Sequence, residues 1–194
     1  MKLVLATGNA GKQREFEALL APLGCEVVLQ TALGIPPADE TGDTFEANAL
    51  LKARHAARLS GLAALADDSG LEVDALAGRP GVRSARYAGE HASDADNLLL
   101  LLKELAGVPH ARRSARYRCV IAFVSHGDDP SPLIAAGAWE GHIAETPRGD
   151  GGFGYDPAFV PVGDTRTVAE FSAPEKNAIS HRALALRALV REWR

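Results

Sequence analysis

At 194 residues the chain is long enough for one domain or a two-lobed one with a substantial core, and 46% hydrophobic and 24% charged content is ordinary for a globular protein. A formal charge of −4 excludes a general nucleic-acid- or polyanion-coating protein, so any phosphate site must be a local concentration of donors. Only Cys25 and Cys119 occur, far apart and with no CxxC pair, which excludes a disulfide framework and a zinc site and points to a reducing cytoplasm.

The opening "MKLVLATGNAGK" holds too short an apolar stretch for a signal peptide, and the longest later run, "LLLLL" at 98–102, cannot span a membrane. "KLVLAT" reads as a short buried strand, followed by a glycine-broken loop and a helix in "REFEALLAPLG". "CEVVLQ" is a second strand, and the loop "TALGIPPADETGD" leads into a long helix, "TFEANALLKARHAARLSG". Asp43 is the expected N-cap of that helix, with Glu46 three residues on and Gly61 at its end. "LAALAD" and "LEVDAL" read as strands around the adjacent Asp67 and Asp68, and a loop containing "GRPGVRSARYAGE" follows. "DADNLLLLLKELAGVP" is a helix stopped by Gly107 and Pro109. "ARYRCVIAFVSHG" and "PLIAAGAWEGHIAE" predict a long antiparallel pair, and "APEKNAISHRALALRALVREWR" a single closing helix. With no internal repeat or linker, the class is α/β, and the hairpins favour a mixed sheet over a purely parallel one.

The acidic pair raises the first chemical question. Adjacent carboxylates repel and are raised in pKa near an apolar wall unless a positive group sits beside them. Asp, Ser and Gly are also turn residues, so on residues 67–70 alone a hairpin turn is the simpler reading. Other stretches alter that balance. "TGNAGK", residues 7–12, offers backbone N–H groups, a helix start and Lys12, all suited to phosphate. It is not a Walker A loop, because Gly8 and Gly11 are too close and Gln13 stands where a Ser or Thr is needed. "GDGGFG" at 149–154 fits a dinucleotide fingerprint only by accident, since "YDPAFVP" follows and no helix can start there. Its glycines beside Phe153 and Tyr155 suggest a backbone yielding to a flat ligand, or merely a tight loop. In the closing helix, Ser172 and Glu175 form a capping box that places Lys176 in the first turns, with His181 and Arg182 soon after. Three donors within seven residues favour an anion or carbonyl site. Of five lysines, Lys12, Lys52 and Lys176 lie in these segments, against sixteen arginines in the whole chain. "ARRSARYR" at 111–118, by contrast, reads as a solvated strand and its approach. Glu40 and Asp43 flank the loop before the long helix, and with no Cys or His cluster a metal here would be oxygen-bound, most naturally Mg²⁺ shared with phosphates.

"TGNAGK", "ETGDTFEANALLKA", "ADDSGLEVDALAGRPGVRSARYAGE", "GGFGYDPAF" and "EKNAISHR" occur in the order found in the inosine/xanthosine triphosphate pyrophosphatases, which this chain resembles over nearly its whole length. The resemblance implies a single domain over 1–194, an elongated two-lobed α/β fold with a central mixed sheet flanked by helices, a ligand cleft between the lobes, and a homodimer in the cytoplasm. It implies hydrolysis of ITP, dITP or XTP to the monophosphate and pyrophosphate with Mg²⁺, and no partnership with nucleic acid or membrane. By position, Thr7, Gly8, Asn9, Ala10, Gly11 and Lys12 resemble the triphosphate loop and Lys52 a further phosphate donor. Asp68 matches the catalytic acid and a metal ligand, Glu40 a second metal ligand, and Ser69 a substrate contact. Phe153, Gly154, Tyr155 and Asp156 resemble the nucleoside-binding loop, and Lys176, His181 and Arg182 the base-reading helix. Two departures stand out: Ala47 where the pattern usually has Glu, and Arg83 where Tyr is usual. Two alternatives stay open at this point, a septum-formation-type pyrophosphatase acting on modified pyrimidines and a catalytically silent nucleotide sensor.

Overall fold

The computed structural model describes residues 2–193. Its elements are β1 (Lys2–Leu5), α1 (Ala10–Leu20), β2 (Glu26–Leu29), α2 (Phe45–Ser60), β3 (Ala63–Val73), α3 (Asp94–Glu104), β4 (Ser114–Val124), β5 (Leu133–Ile143), β6 (Phe159–Pro161), α4 (Ala173–Ile179) and α5 (His181–Glu192), with short 3-10 turns in the connections. One sheet runs in the order β2-β1-β3-β4-β5-β6. It is mixed, as expected: β1 pairs parallel with β2 and β3, while β5 pairs antiparallel with β6. At the meeting of β4 and β5, the Ile143 N–H donates to the Arg113 carbonyl, so the end of one strand meets the start of the other. The three-residue β6 escaped the sequence reading. It is an edge strand closing on Pro161, a position where a missing N–H is tolerated.

Two compact units share the chain. The first takes the chain up to Asp68, Cys119–Gly137 and the chain from Arg182 onward; the second takes Ser69–Arg118 and Ala138–His181. Each has its own apolar core. Leu3, Leu5, Phe16, Leu20, Leu65, Ile121, Leu186 and Leu189 fill the first. Leu71, Val73, Leu98, Leu101, Leu105, Trp139 and Phe159 belong to the second. Burying side chains of this size is worth about 1.5–3 kcal/mol each and is what holds the two ends of the chain in place.

Four local expectations are corrected. The acidic pair does not separate two strands: β3 is one continuous eleven-residue strand through Asp67 and Asp68, because each carboxylate finds charged or amide partners and no turn is required. Helix α1 begins at Ala10 rather than at Arg14, with the Asn9 side chain accepting the Lys12 N–H at 3.0 Å as its cap. Helix α2 is capped by Thr44, whose hydroxyl accepts the Ala47 N–H at 3.1 Å, rather than by Asp43; Gly61 ends it in the left-handed region as expected. The closing segment is two helices, since Ser180 adopts an extended conformation that ends α4 before α5 starts at His181. The Ser172–Glu175 capping box is present at the start of α4. One further difference concerns the arginine-rich approach to β4. Arg113 is buried and donates to the carbonyls of Leu105 at 2.8 Å and Ala144 at 3.0 Å, serving the C-terminal end of α3 instead of facing solvent.

Candidate active site

In the first unit, the strand pleat resolves the acidic pair. Successive side chains on β3 leave opposite faces, so Asp67 and Asp68 meet different partners although they are neighbours in sequence. Asp67 is fully buried. Its Oδ2 lies 3.0 Å from the Lys12 Nζ and 3.6 Å from the Arg182 Nε, and the Cys119 thiol approaches the same oxygen at 3.9 Å. Burial alone would raise its pKa; Lys12, Arg182 and Lys52 outweigh burial and hold the carboxyl far below the usual carboxylate range. Arg182, itself buried, is also ion-paired with Glu15 of α1, and its guanidinium stands 5.6 Å from the centre of the Phe16 ring. Burial opposes its charge, but Asp67 and Glu15 more than compensate, so it stays protonated throughout the accessible pH range.

Asp68 has the opposite balance. Burial pushes its pKa up, and the attraction of Lys52 and Lys12 does not fully offset this, with Glu40 adding to the rise. Its Oδ1 is 3.4 Å from the Lys52 Nζ, and its Oδ2 accepts from the Asn48 amide at 3.1 Å. Lys52 also binds Glu40 Oε1 at 2.7 Å. Burial works against charge on Lys52 as well, yet Asp68, Asp67 and Glu40 raise its pKa, so it is a fixed ammonium. Asn48 and Lys52 are four residues apart on α2 and therefore share a face, and that face is turned to Asp68. The other end of Asn48 accepts the Gly42 N–H at 2.8 Å, tying the Glu40 loop to the helix. Gly42 is required here, because a Cβ at this position would lie 2.7 Å from the Asn48 Oδ1 and 2.8 Å from the Ala47 Cβ. The small side chain at Ala47 faces this close approach.

In the second unit, the carboxylate of Asp156 organises the loop 153–156. It is buried and accepts from Lys176 Nζ at 2.6 Å, from the Phe153 N–H at 2.9 Å and from the Tyr117 hydroxyl at 3.1 Å. Gly152, at φ +73, lies so close that a Cβ would come within 2.1 Å of the Asp156 Oδ2. The glycines of "GDGGFG" thus serve a tight loop. The Lys176 ammonium also sits 4.5 Å over the Phe153 ring. Tyr155 donates to the Ser84 carbonyl at 2.7 Å, and the Gly154 N–H to Asp94 at 2.8 Å, which fixes the rest of the loop. The His181 ring stacks on Tyr117, with centroids 4.7 Å apart and planes at 12°.

The expected residues therefore fall into two groups. Thr7, Gly8, Asn9, Ala10, Gly11 and Lys12 form the approach to α1 and its first turn, and the charged residues of the first unit form two sets of ion pairs, Lys12 and Arg182 on Asp67, and Lys52 on Asp68 and Glu40. Phe153, Gly154, Tyr155, Asp156, Lys176 and His181 gather in the second, where half-buried Ser69 follows Asp68 on β3. Glu15, Asn48 and Tyr117 were missed. Only Asn48 left a sequence signal, its spacing of four from Lys52.

A buried carboxylate of raised pKa beside the fixed Lys52 ammonium, one residue on from a carboxylate paired with Lys12 in the first turn of α1, is suited to a polyanion and to proton transfer from water. A family model described as the Ham1 family matches residues 3–192. The chain belongs to the Ham1 family. A relative from Methylococcus capsulatus named dITP/XTP pyrophosphatase is 58% identical over 193 residues, covering 100% of this chain and 96% of the relative. One of the same name from Escherichia coli strain K12 is 52% identical over 189 residues, covering 97% and 96% respectively. Among solved structures, a HAM1 protein from Coxiella burnetii superposes with a TM-score of 0.91 at 48% identity, covering 100% of this chain and 98% of that one. A Mycobacterium abscessus structure described as nucleoside-triphosphatase / dITP/XTP pyrophosphatase gives 0.76 at 46% identity, covering 98% and 99%. These matches bear out the Ham1-type α/β fold.

Proposed function

We propose that this Ham1-family chain hydrolyses deaminated purine nucleoside triphosphates, ITP, dITP and XTP, to the monophosphate and pyrophosphate. The observation that carries the chemistry is Asp68, a desolvated carboxylate of raised pKa bracketed by the Lys52 ammonium and the Asn48 amide. The names of relatives more than 50% identical over almost their full length support the substrate class. In the proposed reaction, Asp68 accepts a proton from a water whose oxygen attacks the α-phosphorus. The bond from that phosphorus to the bridging oxygen breaks, and the electron pair leaves with pyrophosphate. Lys12, Lys52 and the head of α1 bind the phosphate oxygens and offset the charge that develops on the leaving group.

Magnesium fits the donor set. Asp68 and Glu40 are hard oxygen ligands, and both carboxylates converge on the Lys52 ammonium, which brings their oxygens to one place. No group of three or more His, Cys, Asp or Glu side chains is preassembled for a metal among the described residues. That suits Mg²⁺, which is commonly held by one or two carboxylates together with substrate phosphates. When bound, the ion would supply charge neutralisation at the polyphosphate, with Asp68 and Glu40 holding it.

Base choice follows from donor chemistry. Inosine and xanthosine carry O6, an acceptor, where adenosine carries an amino donor. Lys176 is a donor only, and His181 presents a donor in one tautomer, whereas Arg182, expected to read the base, is instead buried against Asp67 and Glu15 in the first unit. Facing an amino group, Lys176 and His181 would each lose a partner at about 1–3 kcal/mol. A homodimer in the cytoplasm completes the proposal; two unpaired cysteines accord with a reducing compartment, and no helix among the described residues is long and apolar enough to cross a membrane. The test is a panel of ITP, dITP, XTP, ATP, GTP and a modified pyrimidine triphosphate with Mg²⁺ and pyrophosphate detection. Preference for ITP, dITP and XTP with a 1:1 yield of monophosphate and pyrophosphate is expected. Release of orthophosphate, a pyrimidine preference or binding without turnover would refute it.

A further inference from the structure

The buried aromatic at the centre of the second unit has a polar end that the proposed chemistry does not use. We infer that Tyr117 is a positioning residue for nucleobase recognition, holding Asp156 through its hydroxyl and His181 through its ring. This rests on the functional reading above and adds to it a residue on β4, remote in sequence from both of the segments it joins.

The Tyr117 hydroxyl donates to the Asp156 Oδ1 at 3.1 Å, while the other carboxylate oxygen accepts from Lys176 and from the Phe153 N–H. With both its oxygens engaged, Asp156 has one orientation, and that orientation places the Lys176 ammonium over the Phe153 ring. On its face, the Tyr117 ring lies nearly parallel to His181 at 4.7 Å, and Trp139 stacks on the same imidazole at 6.5 Å and 21°. His181 is the first residue of α5, immediately after the extended Ser180, so its direction depends on what it stacks against as well as on the helix. One rigid side chain thus sets Lys176 by way of a carboxylate and His181 by direct contact. A purely structural role would need only the ring, which packs on Phe159 at 4.6 Å within the core. The hydroxyl is the part that core packing does not explain, since a buried polar group is costly unless it is bonded.

The hydroxyl and the ring are separable by substitution. Tyr117→Phe keeps the stack and the packing but removes the donor to Asp156. It should raise KM for ITP about 10-fold with kcat within about 2-fold, as loss of one hydrogen bond to a charged acceptor would. Binding of inorganic triphosphate, which has no base, should stay within about 2-fold of wild type. Because the hydroxyl acts through Asp156, Tyr117→Phe introduced into an Asp156→Asn background should add little further loss. Tyr117→Leu, which removes the stack too, should reduce kcat/KM for ITP beyond the Phe variant. Thermal midpoints of all variants show that each is folded, and a variant that melts early is assayed below its midpoint. Unchanged ITP kinetics in Tyr117→Phe, equal losses for ITP and inorganic triphosphate, or additive losses in the double variant would each overturn the assignment. A wild-type protein with no preference for ITP over ATP would instead overturn the functional reading, and this inference with it.

Discussion

Asp67 and Asp68 are identical side chains one residue apart, yet their surroundings give them opposite energetics. Asp67 has a depressed pKa in the folded protein, so its ionised form contributes stability that is present above the unfolded value of about 3.9 and is lost as pH falls through the folded value. Asp68 has a raised pKa, so its ionisation costs stability, a cost that is absent below the unfolded value and complete above the folded one. Asp67→Asn should therefore destabilise by about 3–5 kcal/mol at pH 7, because Lys12 and Arg182 lose a buried partner. That deficit should shrink as pH falls below about 4. Asp68→Asn should be as stable as wild type or more so at pH 7, while kcat falls about 10²–10⁴-fold. Urea titrations between pH 2 and 7 alongside pyrophosphate release decide this, and a reversed pattern would exchange the two roles. The acids and lysines were legible in the sequence because few side-chain types bind phosphate or move protons. Glu15 was not, since a glutamate in a helix ordinarily faces water, and the buried Arg182 that makes it an ion-pair partner lies 167 positions away.

At the scale of elements, capping chemistry was readable and breaks in continuity were not. The box Ser172–Glu175 and the terminal Gly61 are local signals, and both stand where the sequence put them. The division at Ser180 has no such signal, because apolar periodicity runs on through "SHRALALRALV" whether the chain makes one helix or two. Likewise the run 63–73 reads as a hairpin by turn propensity, and is one strand because partners distant in sequence satisfy its carboxylates. The loop 149–156 offers a test at this scale. Gly152→Ala places a methyl against the Asp156 carboxylate in a left-handed conformation, so stability should fall by about 1–3 kcal/mol. KM for ITP should rise much more than kcat falls if, as proposed, the Asp156–Lys176 pair serves base binding. Calorimetry and steady-state kinetics measure the two effects, and a loss confined to kcat would move the loop to the reacting phosphates.

For the whole molecule, the charge arrangement bears on the proposed use of Mg²⁺. Lys12 and Arg182 are paired with Asp67, and Lys52 with Asp68, so each of these two buried carboxylates has a protein cation beside it. EDTA should abolish pyrophosphate release while shifting the melting midpoint by less than about 1 °C, and added Mg²⁺ should restore activity in full. A large drop in midpoint with EDTA would mean that a metal is part of the apo fold. Adding ITP together with Mg²⁺ should raise the midpoint well above the effect of either alone, because the ion is expected to join the site with the phosphates.

By itself the sequence determined the class, the alternation of strands and helices, the mixed sheet and the short set of residues able to carry the chemistry. These depend on periodicity, turn residues and side-chain type, which are local properties of the chain. Tertiary structure decided which partner each charge has. The pleat of β3 sends Asp67 to Lys12 and Arg182 and sends Asp68 to Lys52 and Asn48; the residues of each set are up to 115 positions away in sequence. It also decided that Tyr117 meets Asp156 and His181, a contact no local pattern encodes. Proton affinity, stability cost and positioning all depend on distances of a few ångströms between such groups, and only the packed chain sets those distances.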